Sequence, residues 1–195
     1  MSDDLLNPGH FDAAAQQLPA WVAWSRPERI AAQVDRLFTE TLPMVSVDGE
    51  PRPDGERFTH DMVGWVCNEF DDFFPDVDAL YAAYEGERQQ RADQFVCYFG
   101  EALRLLAGGE WFNERYQDAP GSVLYGEAFT PAIGYRWGNS PDDLTDMLFE
   151  AAEADGSTEA FMMIGTEIYS RSADYAEKHG LPHPHDETRR KHGLV

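Results

Sequence analysis

The sequence predicts a mainly α-helical single domain of about six helices, with one small β-hairpin after the central helix. Three observations lead there. Residues 91–111 place Ala92, Phe95, Val96, Phe99, Ala102, Leu103 and Leu106 at i, i+3, i+4, i+7, i+10, i+11 and i+14. That is one apolar stripe on a long helix, with Asp93, Gln94, Glu101 and Arg104 off it. Gly108 and Gly109 follow, and glycine enters the left-handed backbone that ends a helix without steric penalty. Strand-like alternation is confined to residues 110–130. Gly100 lies inside the helix, where it costs about 1 kcal/mol relative to alanine, so another element is expected to pack closely on it.

From the N-terminus, the first ten residues read as loosely ordered and residues 11–18 as weakly helical, ended by Pro19. Residues 18–24 read as an apolar arm laying Trp21 and Trp24 across the core. Ser25-Arg-Pro-Glu28 reads as a capping box opening a helix with Ile30, Val34, Leu37, Phe38 and Thr41 on its apolar face. Residues 46–57, SVDGEPRPDGER, are expected to form a mobile surface loop. Thr59 is the expected cap of a helix with the stripe Val63, Val66, Cys67, Phe70 and Phe74, and with Glu69, Asp71 and Asp72 on its acidic side. Pro75 breaks it, and Asp76 caps a short helix through Tyr84. Gly86 either ends that helix or kinks it into the long one.

After the double glycine, Glu110–Asn113 and Ser122–Thr130 are expected to pair as the hairpin, supported by helices because a lone hairpin is marginal in water. Pro131–Trp137 reads as a short helix or turn. Ser140 is the expected cap of the next helix, with Pro141 in its first turn, Asp142 and Asp143 at its positive end, and the stripe Leu144, Met147, Leu148, Ala151 and Ala152. Thr158 caps the last helix, which turns Phe161, Ile164, Gly165, Ile168, Ser172, Tyr175 and Ala176 to the core. The domain is expected to cover residues 1–181, with a flexible tail over 182–195.

Charge narrows the function classes. The 36 acidic and 15 basic residues give −21, and residues 178–195 carry +2 of this, leaving −23 on the remainder. Such a field repels nucleic acid and anionic membrane and speeds encounter with a basic protein; it also serves solubility alone. No apolar run reaches the roughly 18 residues of a membrane span. The acidic start MSDDLLNPGH lacks the plan of a secretory signal, so a cytoplasmic location is expected. Cys67 and Cys97 lack metal or redox spacing and are expected to be buried thiols.

Few residues are arranged for chemistry. His183 and His185, near His179 and His192, alternate with prolines on the tail and have no carboxylate or cysteine frame, so no metal or cofactor is expected. Acid pairs are abundant, which weakens each as an acid–base dyad. Glu101, beside the stripe and next to Gly100, is the residue left over. Its bland reading is a buried glutamate bonded to a backbone donor or to Arg136; its enzymatic reading is a site shared with Tyr125 or Arg136.

Phe99-Gly-Glu101 followed by Gly108-Gly-x-Trp111, then Phe129-x-Pro131 and Gly138-x-Ser-Pro-Asp-Asp-Leu144, resembles a loose group of small uncharacterised bacterial proteins, some of them similar to immunity proteins of toxin systems. The resemblance covers about residues 88–152 and brings no catalytic residue with it. It implies a small acidic binding protein that neutralises a basic toxin domain. The expected contacts, chosen on charge, are Asp71, Asp72, Asp76 and Asp78, with Asp48, Glu50 and Asp54 of the loop. A regulatory or structural interaction protein outside toxin biology is the alternative, and an enzyme with a site around Glu101 the third reading.

Overall fold

The computed structural model describes residues 12–45, 52–82, 87–114, 121–154, 159–184 and 186. Among them are seven α-helices and one three-stranded antiparallel sheet. Helix α1 is Pro19–Trp24. Helix α2 is Pro27–Arg36, prolonged by a π-turn at Leu37–Thr41 and a last turn at Leu42–Val45. Next come α3 (His60–Phe73), α4 (Val77–Tyr81) and the central α5 (Glu87–Leu106). The sheet follows as β1 (Glu110–Asn113), β2 (Pro131–Tyr135) and β3 (Asn139–Asp143). Helix α6 is Leu144–Glu153, and α7 is Thr166–His179, led in by a π-turn at Phe161–Gly165.

Helix α5 is the axis of the molecule, about 30 Å long at its 20 residues. Its predicted stripe is buried as expected, with Leu106 half-buried at the end. The opposite side is buried too, since every residue from Ala92 to Gly100 is enclosed, Asp93 and Gln94 among them. Helices α2 and α7 pack on it along with the sheet, so α5 is wrapped rather than amphipathic. Gly100 explains the closest approach. A Cβ there would lie 1.9 Å from Cη2 of Trp111, so the indole lies against bare backbone. Gly108 takes the left-handed conformation that ends the helix (φ 63°), whereas Gly109 is needed for space, its missing Cβ standing 2.2 Å from Ile133 Cγ2.

The β region departs from the expected hairpin. Glu110–Asn113 is β1, but its partner is Pro131–Tyr135, the stretch expected to be helix or turn; Trp111 faces Ile133 and Phe112 faces Ala132. Residues 122–130 instead make a 3₁₀ turn at Val123–Tyr125. They then pass through left-handed backbone at Gly126 (φ 61°) and Glu127 (φ 60°), which breaks the apparent alternation and stacks Tyr125 on Phe129. Asn139–Asp143 is β3, an edge strand where Pro141 leaves no central ladder bond unmade. The helix start therefore moves three residues along. Asp143, not Ser140, is the cap, and its carboxylate accepts from the Thr145 and Asp146 amides.

Other ends shift for similar reasons. Pro19 opens α1 instead of ending a helix, and Trp21 and Trp24 of α1 are buried and stacked. Ser25 closes α1 through its amide, so α2 begins at Pro27 with Arg26 in the cap position and no side-chain cap bond. Thr59 and Asp76 cap α3 and α4 as expected; α4 runs over Val77–Tyr81, and Tyr84, the expected end, lies outside the described residues. Phe161 is exposed and Tyr175 only half-buried, contrary to the core positions expected of them. Residues 52–57 of the expected mobile loop are tied down. Arg52 and Arg57 lie over the Phe38 ring, Arg57 pairs with Asp35, and the Arg57 carbonyl accepts from Tyr98 Oη at 2.9 Å. The first residues of the expected tail also dock, with Pro184 buried and the His183 ring against Tyr169. Thr158, Gly86, His185 and His192 lie outside the described residues.

Candidate functional site

Charge is handled in two ways in this molecule. The first is internal. Asp93, 4% exposed on α5, accepts from Trp24 Nε1 at 2.7 Å and Tyr125 Oη at 2.9 Å through Oδ1, and from Gln33 Nε2 at 2.6 Å and Arg29 through Oδ2. Arg29 also donates to Cys97 Sγ at 3.2 Å and lies over the Trp24 ring. Burial and the Asp93 charge push the Cys97 thiol and the Tyr125 hydroxyl well up, so both stay protonated donors or neutral acceptors. A cleft of about 470 Å³ opens beside this hub. Asp142 forms a second such centre, 7% exposed, gripped in two-pronged fashion by Arg171 at 2.6 and 3.1 Å and bonded to Tyr135 Oη at 2.6 Å.

The second way is external. Helices α4 and α6 pack together through the Tyr81 and Phe149 rings, 5.1 Å apart. Along α6, Asp146, Glu150 and Glu153 recur at i, i+4 and i+7, all exposed, and Asp78 is exposed on α4. Between them opens a hollow of about 380 Å³. Tyr81, Phe149 and Val123 give it apolar walls, and Glu114, Asp143 and Asp146 give it acid. Tyr81 and Val123 are 48% and 56% exposed, high for residues of their size, so apolar surface is on offer within an acidic rim. Glu114, at the end of β1, is 3% exposed, its amide bonded to the Thr130 carbonyl. Burial first, then the Asp146 charge, push the Asp143 carboxyl up to about 6, against the pull of the Thr145 hydroxyl and the two capped amides. A hollow lined by aromatic rings and carboxylates suits the ammonium or guanidinium of a basic side chain.

The contacts predicted from charge do not assemble. Asp72 and Asp78 are exposed, and Asp76 is exposed but occupied in capping α4 through Ala79 N at 2.7 Å. Asp71 is half-buried and accepts from Ala160 N at 3.1 Å. Burial and its acidic neighbours Glu159 and Asp72 push it up to about 6, despite that bond. Glu69, expected on the acidic side of α3, is 3% exposed with Oε2 unpartnered among the described residues, and burial and then Asp72 raise its pKa. Asp54 is exposed in the segment leading into the other end of α3, a 14-residue helix spanning about 21 Å. Asp48 and Glu50 lie outside the described residues.

Glu101 is accounted for by its neighbours. It accepts from Trp111 Nε1 at 2.7 Å and from Arg104 through both oxygens, fixing the indole over Gly100. Arg136 pairs with Glu110 at 2.6 Å instead, and Tyr125 belongs to Asp93. Neither the cleft beside Asp93 nor the hollow between α4 and α6 is lined by Glu101. Among the described residues no group of three His, Cys, Asp or Glu side chains is placed to hold a metal. Both cysteines are buried and free, and no described helix is long and apolar enough to cross a membrane. Comparison with known proteins finds no matching family model, no matching curated protein and no matching solved structure.

Proposed function

We propose that the protein is an acidic binding protein whose α4–α6 face receives a basic protein partner, with one lysine or arginine of that partner seated in the hollow between Tyr81, Phe149, Asp143 and Asp146. The observation that carries this reading is the hollow itself, where exposed aromatic surface and acidic side chains converge on one opening. The net charge of −21 supports it by raising the encounter rate with a basic surface. The distribution of cations supports it as well. Among the described residues, Arg29, Arg36, Arg57, Arg104, Arg136 and Arg171 each pair with an acid outside α6.

In its specific form, the reading is of a cytoplasmic immunity-type inhibitor of a basic bacterial toxin domain; the broader form is a regulatory interaction protein using the same face. Capture from lysate at low and high salt tests the broad form. The wild type should retain a basic protein at low salt and release it at high salt, and a variant with Asp143→Asn and Asp146→Asn should retain none. Equal retention by that variant at both salt concentrations would overturn the assignment of the face. Co-expression with a toxin domain encoded nearby tests the specific form through rescue of growth; absence of both rescue and complex leaves only the broad form.

A further inference from the structure

We infer that a second, separate site, between α3 and the π-turn that leads into α7, binds a small organic cation with an aromatic or alkyl body. The site is a pocket of about 600 Å³, within the range of ordinary small-molecule pockets. Trp65 of α3, Phe161 of the π-turn and Tyr169 of α7 line it, together with the His60 imidazole, which packs on Tyr169 and bonds Ser172 Oγ through Nε2 at 2.7 Å. Their faces carry the negative end of the ring quadrupole, which favours a cation over a neutral or anionic guest of the same shape. Asp61, half-buried in the first turn of α3, supplies a formal charge on the same lining.

Glycines shape this wall. The Phe161 ring approaches so closely that a Cβ on Gly64 would stand 3.0 Å from Cε2, and one on Gly165 would stand 3.4 Å from Cδ2. Both glycines lie in helical backbone, where each costs about 1 kcal/mol relative to alanine. The extra residue of a π-turn, a geometry concentrated at functional positions, sets Phe161 at the opening instead of in the core. Phe161 is 46% exposed, so apolar surface is presented at the pocket for the ligand body. The field of a chain at −21 adds a general preference for positive ligands.

The test is calorimetric titration of the full chain with phenethylamine, phenethyl alcohol and 3-phenylpropionate, with Trp65 indole resonances followed by NMR. The amine should bind about tenfold more tightly than the alcohol and shift the Trp65 signal, while the carboxylate should not bind measurably. Asp61→Asn should reduce the preference for the amine to about twofold. Thr166→Trp, an exposed position on the lining, should block all three ligands while leaving the thermal midpoint near that of the wild type. The Asp143→Asn, Asp146→Asn variant should bind the amine as the wild type does, which separates this pocket from the hollow on the α4–α6 face. Equal affinity for amine and alcohol, no saturable binding at millimolar amine, or unchanged binding in Thr166→Trp would overturn the inference.

Discussion

Asp93 and Asp143 show two uses of a carboxylate within one fold. Asp93 is enclosed at the axis of the molecule and meets four donors, including the guanidinium of Arg29. Asp143 lines a hollow, and burial first and then the charge of another carboxylate, Asp146, raise its pKa. The first arrangement satisfies the charge within the protein, so it contributes to folding and offers little to a partner. The second leaves like charges together, which weakens the isolated fold slightly and favours a cation brought from outside. A carboxylate thus points to binding when its hydrogen bonds are made but no cation of the fold balances its charge, not simply when it is present.

The sharpest way to break this contrast is at Asp93. Asp93→Ala leaves Arg29 unpaired and the Trp24, Tyr125 and Gln33 donors without their acceptor, so a loss of about 3–5 kcal/mol is expected. In a chain of this size that lowers the thermal midpoint by roughly 6–20 °C, measurable by calorimetry. The loss in the Arg29→Ala, Asp93→Ala double variant should fall well short of the sum of the single losses. A loss below about 1 kcal/mol would mean that the hub is incidental to the fold.

Gly100→Ala comes next. Its Cβ would enter the space of the Trp111 indole, and the helix can yield only by moving that ring off Glu101, so about 2–3 kcal/mol should be lost despite the better helix propensity of alanine. Guanidinium denaturation would measure this, and a stabilised variant would contradict the packing described.

These two positions also show what the sequence made legible. Gly100 and Gly108 could be read because glycine in a helix has few explanations, and both held. The α5 stripe was readable because period 3.6 survives any tertiary arrangement. Asp93 was not, because a single stripe predicts a single buried face. The available signal was a second row, Asp93, Cys97 and Gly100 at i, i+4 and i+7, whose small members imply that something packs there too. The sheet was misplaced because Pro131 and Pro141 resemble helix-start residues, while the starting position of β2 and the edge position of β3 permit proline. The hollow draws its lining from four separate segments of the chain, so no local pattern announces it.

Acidity should distinguish the two regions by pH. Asp71 and Asp143 titrate at about 6 in the fold, above the 3.8 of a free aspartate. The folded chain therefore holds these protons more tightly than the unfolded chain. Their stabilising contribution is complete below about pH 4 and is lost as the pH rises through 6. The thermal midpoint should be higher at pH 5 than at pH 7.5, and Asp71→Asn with Asp143→Asn should flatten that slope while an amide oxygen still accepts from the Ala160, Thr145 and Asp146 amides. A midpoint that falls on acidification to pH 5 would contradict this.

The smallest effect on stability belongs to the face itself. Asp146→Asn, Glu150→Gln and Glu153→Gln should each change stability by no more than about 0.5 kcal/mol, while together they slow association with a basic partner at low salt.

The most direct test of the binding face is a hydrogen-exchange footprint of the protein bound to its captured basic partner. Slowed exchange should concentrate in α4, in the first two turns of α6 and around Val123, with the α1–α2 surface beside Asp93 unchanged. Protection centred on the Asp93 cleft or on the segment around Asp54, with α4 and α6 exchanging as in the free protein, would contradict the account.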